Sequence, residues 1–113
     1  MHELSVTQGL LAVVLEHAER AGARRVIRID LRIGNMSGVV DESVQFYFDF
    51  LSRDTLAEGA RLHVMHIPAR FKCKNCDAEF EPEERDWLCP ACGATGGRIV
   101  AGQEMLVESI EID

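Results

Sequence analysis

The chain has 113 residues, the size of one domain or of one domain with a small appendage. Hydrophobic residues make up 47% of it, as in typical globular proteins. No apolar run approaches the roughly 18 residues that a membrane span needs, and the net charge of −7 disfavours a nucleic-acid-binding face. No targeting pattern is present at the start, so we expect a cytoplasmic protein without a membrane span or a nucleic-acid partner.

The first predicted helix covers about residues 6–21. Ser5 and Gln8 have the spacing of a capping box, in which the two residues satisfy each other's free backbone amides. Gly22 is placed to end the helix in the left-handed conformation. Residues 1–4 would then form a short free tail. Apolar side chains at helical spacing predict the buried face: Leu4, Leu11, Val14, Leu15 and Ala18.

A strand and a second helix are predicted next. Residues 26–33 alternate between apolar and charged side chains, which predicts a half-buried strand with Ile27, Ile29, Leu31 and Ile33 on its inner face. After a glycine-rich turn, a helix is predicted over residues 41–53 with Asp41 as its N-cap. Phe46 and Phe50 lie outside its core stripe and indicate either a wide buried face or a partner surface. The stripe consists of Val44, Tyr47, Phe48 and Leu51.

The last two strands of the main body are predicted at residues 62–67, where Pro68 ends the strand, and at residues 105–112. All four cysteines lie between them. The order of elements predicts an α+β fold, in which two helices pack on a three-stranded sheet that carries an inserted zinc-ribbon-like module.

The predicted division follows from that insertion. Residues 1–69 plus 98–113 would form one α+β domain, and residues 70–97, which contain all four cysteines, a second domain. Ala69 and Gly96, at the ends of the insertion, are the expected hinges.

The cysteines form two C-x-x-C pairs, Cys73 with Cys76 and Cys89 with Cys92. Each pair can present two sulfurs to one ion, and two pairs complete the tetrahedral four-sulfur site that zinc favours. Gly93 follows the second pair, where such a turn needs positive φ. Two disulfides of a secreted domain are the alternative, and no signal-peptide pattern supports it. A catalytic zinc is disfavoured because four sulfurs leave no open position.

A second metal site is suggested by the first three residues. The α-amine of Met1 and the amide and imidazole of His2 lie within one chelating reach. Planar nitrogen donor sets favour Ni²⁺ and Cu²⁺, and the Glu3 carboxylate can add an outer oxygen. The alternative is an ordinary histidine in a frayed terminus. The remaining histidines have no ligand spacing and are predicted as surface or strand residues: His17, His63 and His66.

No nucleophile–base pair, phosphate-binding loop or paired carboxylates appear, so we expect a protein that is not an enzyme. Four stretches together resemble the HypA/HybF family of nickel-insertion proteins for [NiFe] hydrogenase: residues 1–5, residues 33–39, the two cysteine pairs and residues 102–105. Met36 and Met105 stand where the family pattern has leucine, and both are conservative apolar exchanges.

The resemblance implies a nickel metallochaperone. Its Ni(II) site would be centred on His2, with help from Met1 and Glu3 and from backbone nitrogens, and a structural Zn(II) would be held by the four cysteines. The implied partners are the GTPase HypB and the hydrogenase large-subunit precursor, and some members also serve urease through its accessory proteins. The alternatives are a zinc-ribbon adaptor without a nickel role and a redox protein that uses the C-x-x-C pairs. The layout also suggests that nickel occupancy or pH is relayed to the zinc site.

Overall fold

The computed structural model of the chain describes residues 3–82 and 88–113. Within these ranges the fold is α+β and elongated, with principal extents of 54 × 24 × 17 Å. Neither helix combines the length and apolarity that a bilayer crossing requires. The elements, in chain order, are α1 Glu3–Arg20, β1 Val26–Gly34, α2 Asp41–Leu51, β2 Arg61–Ile67, β3 Arg70–Cys73, β4 Glu79–Phe80, β5 Gly97–Ala101 and β6 Met105–Ile112.

The strands form two sheets. The first has the order β2-β1-β6, with β2 parallel and β6 antiparallel to β1. The second has the order β4-β3-β5 and is antiparallel throughout. We call the first sheet with the two helices the body and the second sheet with the cysteines the module. The predicted α+β class and the three-stranded sheet of the body are confirmed.

The body has one apolar core, in which side chains of α1, α2 and β1 are packed together. Its fully buried members include Val14, Ile29, Leu31, Val44 and Phe48. The alternation of β1 explains this arrangement, because its apolar side chains face the helices while Arg28 lies on the solvated face. Burying one such side chain contributes about 1.5–3 kcal/mol, and twelve described residues share this core, so apolar burial is the main source of stability of the body.

Helix α1 begins at Glu3, earlier than predicted. Ser5 therefore lies inside the helix, and the predicted capping box is wrong. Leu4 is exposed instead of buried. The inner face starts at Thr7, which is fully buried and whose hydroxyl donates to the carbonyl oxygen of Glu3 at 2.6 Å. A buried threonine can lie on an apolar helix face in this way because the preceding turn accepts its hydroxyl proton.

A register shift between Val26 and Arg28 moves the start of β1 to the other face. Val26 is consequently 2% exposed and Ile27 is 38% exposed, which reverses the prediction for Ile27. Ile29, Leu31 and Ile33 are buried as predicted.

Helix α2 begins at Asp41, so the predicted capping role of this residue is wrong. Val40 is the N-cap and makes no side-chain cap. The Asp41 carboxylate instead lies 2.8 Å from Nε2 of His66 on β2. Phe46 and Phe50 are 70% and 61% exposed, which excludes the wide buried face as their explanation.

The body and the module meet at the turn after β1. The amide of Asn35 donates to the carbonyl oxygen of Ile67 at 2.9 Å, and the amide of Met36 donates to that of Gly102 at 2.7 Å. The Met36 side chain packs into the core of the module. Strand β5 was not predicted, and it keeps the chain in the second sheet beyond the expected hinge at Gly96. The chain therefore returns from the module to the body at Gly102.

Candidate metal centre

The four cysteine sulfurs converge within 4.8 Å of one another. The Sγ atoms of Cys73 and Cys92 are 3.6 Å apart, and those of Cys76 and Cys89 are 3.5 Å apart. These distances are too long for disulfide bonds, in which sulfurs are about 2.05 Å apart. They are close to the edge of about 3.8 Å that a tetrahedron has when Zn–S bonds are about 2.3 Å long. The donor set and its spacing therefore fit zinc.

Two turns of the same form present these sulfurs. In the first, the amide of Asp77 donates to the carbonyl oxygen of Cys73 at 3.1 Å, and the amide of Cys73 donates to that of Ala78 at 2.9 Å. The second turn repeats both bonds, from Gly93 to Cys89 at 2.8 Å and from Cys89 to Ala94 at 3.0 Å. The residue after each second cysteine has a positive φ, 61° at Asp77 and 75° at Gly93. The prediction for Gly93 is confirmed, while Asp77 was missed because aspartate occupies this region only in particular turns.

Hydrogen-bond donors around the quartet give its cysteines different pKa values. The amide of Ala94, and then the side chain of Asn75, lower the pKa of the Cys92 thiol to about 6. The amide of Ala78 favours the Cys76 thiolate, but the neighbouring sulfurs and burial outweigh it and raise the pKa of Cys76 to about 12. Four thiolates this close repel one another, so full ionisation of the quartet needs a cation at its centre.

Asn75 was not singled out from the sequence, although it lies between the first two cysteines. Its backbone amide donates to Sγ of Cys73 at 3.3 Å, and its Nδ2 lies 3.6 Å from Sγ of Cys92. One residue thus connects the two C-x-x-C turns. Its position within a C-x-x-C motif was the available signal, since the inner residues of such turns face the sulfurs.

The core of the module is small within the part of the chain that the structure describes. Four of these residues are buried in it: Phe71, Cys73, Phe80 and Cys89. The two phenylalanine rings pack edge to face with centroids 6.1 Å apart. Half of this core thus consists of predicted metal ligands, while Cys76 and Cys92 are exposed.

The predicted nickel residues are only partly covered by the structure. Met1 and His2 lie outside the described residues. Glu3 is the first described residue of α1, and its carbonyl oxygen is held by Thr7. Backbone amides of the first helical turn have no acceptor within the helix, which leaves them available to other partners.

The other histidines are exposed side chains on α1 and β2, as predicted. Within residues 3–82 and 88–113, the cysteine quartet is the one group of three or more His, Cys, Asp or Glu side chains close enough to share a metal ion.

An α+β body that carries a convergent four-cysteine module defines a metal-binding protein with a zinc-ribbon-like unit. The profile of the family described as "Hydrogenase/urease nickel incorporation, metallochaperone, hypA" matches residues 1–112. The chain belongs to this HypA family of nickel metallochaperones, as its motifs indicated. The family consists of maturation factors, not of catalytic enzymes, and its role implies contact with the hydrogenase maturation machinery.

Individual relatives agree with the family assignment. The hydrogenase maturation factor HypA of Dehalococcoides mccartyi strain 195 is 45% identical over 113 residues, which cover 100% of this chain and 95% of the relative. That of Geobacter metallireducens is 42% identical over the full length of both chains. The solution structure of the Ni metallochaperone HypA from Helicobacter pylori has a TM-score of 0.73 at 28% identity and covers 99% of this chain and 97% of its own.

Proposed function

We propose that this chain binds Ni(II) through Met1, His2 and Glu3 and delivers it during maturation of [NiFe] hydrogenase, with urease as a second recipient. The observation that carries the proposal is the family match, which includes the first residues of the chain. The chemistry of the residues agrees with it, because an amine, an imidazole and backbone amides are donors that nickel prefers.

The start of α1 favours release as well as binding. Its first amides have no partner in the helix, so nickel can recruit them without breaking a helical hydrogen bond. The positive end of the helix dipole opposes the cation by about 0.3–1 kcal/mol, which is small beside several coordination bonds. Free amine and imidazole groups have pKa values of about 7.7 and 6.5, so acidification through this range weakens nickel binding.

The cysteine quartet is proposed to hold Zn(II) in a structural role. Cys73, Cys76, Cys89 and Cys92 would fill the coordination shell and leave no position for an exchanging ligand. Nickel transfer is therefore assigned to the other end of the chain. The predicted division was into residues 1–69 plus 98–113 and residues 70–97. Because strand β5 pairs with β3, the proposal now ends the module at Ala101 instead of Gly97.

The proposed partners are the GTPase HypB and the hydrogenase large-subunit precursor, together with urease accessory proteins where urease is served. We propose the cytoplasm as the place of action. The competing function is a zinc-ribbon adaptor that binds another protein and has no nickel role.

Calorimetric titration with Ni²⁺ separates these functions. The native chain should bind about one nickel, and His2→Ala and a form with one extra residue before Met1 should each bind at least 100-fold more weakly. His63→Ala is the matched control, because it removes an exposed imidazole from β2 and should leave the affinity unchanged.

Zinc content is measured in the same samples by mass spectrometry. An extended form that binds nickel as tightly as the native chain would show that the amine is not a ligand. A native chain that retains one zinc but binds no nickel would favour the adaptor.

A further inference from the structure

A furrow runs between α1 and β6 on the outer side of the body. Its wider part has a volume of about 600 Å³ and is lined by Val6, Gly9 and Val13 of α1 and by Met105 and Val107 of β6, among others. A second cavity of about 210 Å³ continues it, shares Val13 and Val107, and reaches His17 and Ile110. We call the two together the α1–β6 furrow.

Both walls give the furrow the same length. From Ser5 to His17 the helix rises about 18 Å at 1.5 Å per residue. From Met105 to Ile110 the strand extends about 17 Å at 3.4 Å per residue. A guest strand of five or six residues therefore matches the furrow from end to end.

The strand that forms one wall lies at the edge of its sheet. In the order β2-β1-β6, one side of β6 pairs with β1, and no strand within the described ranges pairs with its other side. Such an edge presents unpaired N–H and C=O groups to an incoming chain. β6 contains no lysine, arginine or proline, and its charged side chains are the carboxylates of Glu108 and Glu111, which would repel an acidic strand and attract a basic one.

Gly9 keeps the furrow open. Apart from its chain neighbours and the backbone of its own helix, no atom lies within 4 Å of the position that a Cβ would take there. Glycine is among the least favourable residues inside a helix, so its presence here is not explained by helix formation. The exposed side chains of Val13 and Leu106 add apolar surface beside this open space.

The charge of both walls has one sign. Segment 3–19 contains three carboxylates and segment 101–113 contains four, and neither contains a lysine or an arginine. Three of the seven form ion pairs with arginines outside these segments: Glu16 with Arg20 at 2.7 Å, Glu108 with Arg32 at 3.6 Å and Asp113 with Arg25 at 3.3 Å. The carboxylates of Glu3, Glu19, Glu104 and Glu111 supply the remaining negative charge. An apolar floor with acidic surroundings complements a chain in which apolar and basic residues alternate, because alternate side chains of a strand point to opposite faces.

We propose that the α1–β6 furrow binds an extended segment of a partner protein that adds as a fourth strand to the edge of β6. Its apolar side chains enter the furrow above Gly9, and the intervening lysine or arginine side chains face the acidic surroundings. Main-chain hydrogen bonds supply affinity in this mode of recognition, and the alternate side chains supply specificity. The proposal does not depend on the nickel or zinc ligands, so it can fail or succeed independently of the proposed function.

The test uses an eight-residue peptide of alternating valine and lysine, with blocked ends and a fluorescent label. Two isomers carry N-methyl groups on all valines or on all lysines. All valine N–H groups point to one edge of the peptide strand and all lysine N–H groups to the other, so only one isomer can still donate to β6. Fluorescence anisotropy at physiological salt should show that one isomer binds within threefold of the parent peptide and that the other binds at least tenfold more weakly. Comparable behaviour of the two isomers, whether both bind or neither does, overturns strand addition.

Gly9→Leu fills the furrow and should weaken binding of the parent peptide at least tenfold. It should not lower the thermal stability of the protein, because leucine is a good helix former. Ala12→Leu places a leucine at an exposed position of the same helix and should leave binding unchanged. Unchanged binding in Gly9→Leu overturns the assignment to the furrow. A dimer in sedimentation that Gly9→Leu dissolves would assign the edge to a second copy of the chain and likewise overturn the proposal.

Discussion

The body and the module are held together by different means. Among its described residues the body buries twelve in one cluster, all of them aliphatic or aromatic. Among residues 70–82 and 88–101, which are the described part of the module, four are buried, and two of these are cysteines. Burial of two phenylalanine side chains contributes about 3–6 kcal/mol, which is too little to order a sheet by itself.

From this difference we expect the stability of the module to depend on the proposed metal. Structural zinc contributes about 10–16 kcal/mol of apparent binding free energy at neutral pH in small zinc-binding units, and that energy is available only to the folded chain. The body should therefore survive metal loss, whereas the module should not. The comparison can be tested by removing one means of stabilisation at a time.

The largest effect is expected from Cys73→Ser. Cys73 is buried and its sulfur contacts that of Cys92, so its loss removes both a ligand and part of the small core. We expect zinc content to fall from one per chain to near zero and the amide resonances of the module to collapse into the unfolded region. A chelator should have the same effect on the native chain, and acidification should favour it by protonating the thiolates. Resonances of Val14 and Ile29 should stay dispersed, since they report on the body alone.

Phe48→Ala is the matched experiment on the body. Phe48 is fully buried in the body, and truncation of such a side chain lowers the free energy of unfolding by about 3–5 kcal/mol. Its zinc content should remain one per chain. If Cys73→Ser unfolded the body, or if Phe48→Ala released zinc from a folded chain, the proposed separation of the two units would be wrong.

An intermediate effect is expected at the junction. A Cβ on Gly34 would overlap the carbonyl oxygen of Gly102, so the two crossing segments would have to separate. That movement disturbs the bonds from Gly34 to Glu104 and from Met36 to Gly102, both 2.7 Å long. Gly34→Ala should lower the free energy of unfolding in urea by about 3 kcal/mol, from overpacking and weakened hydrogen bonds together.

Gly38→Ala is the control for the junction. Gly38 has a φ of +77° and open space around its Cβ position, so only backbone strain of about 1–2 kcal/mol is expected there. Chemical shifts of both Ile33 and Ile99 should change in Gly34→Ala, because these residues lie on opposite sides of the junction. If Gly34→Ala lowered the free energy of unfolding no more than Gly38→Ala does, the junction would not be close-packed.

Local patterns account for the parts of the structure that the sequence predicted well. The alternation of β1 and the spacing of the cysteines are visible within a few residues, and both elements occur where expected. Strand β5 is different, because its five residues have glycine at one end and no distinctive period. Its strand conformation depends on pairing with β3, which the sequence does not display.

The remaining differences also come from tertiary packing. Thr7 is polar, so the sequence pattern did not place it on the buried face, yet its hydroxyl is satisfied by Glu3 and the residue is fully buried. Phe46 and Phe50 are residues of a type usually found in a core, yet both lie on the surface. For the candidate sites, the cysteine quartet was predictable from spacing alone. The nickel site depends on free donors near the chain start, and it stays a prediction based on chemistry and family membership.

The smallest effect is expected within the module, where the two cysteine turns differ at one position. Asp77 and Gly93 are equivalent and both have a positive φ. An alanine in this region is strained by about 1–2 kcal/mol, so Gly93→Ala should weaken zinc binding about tenfold. Gly93→Asp should lose less zinc affinity than Gly93→Ala, because the first turn already accommodates aspartate in this conformation. Asp77→Gly should change the affinity less than threefold, since relief of strain is offset by the greater freedom of glycine in the unfolded chain. Competition with a chelating dye measures all three. Equal losses in Gly93→Ala and Gly93→Asp would mean that backbone strain does not distinguish the turns, and that added bulk or lost flexibility at this position governs zinc affinity instead.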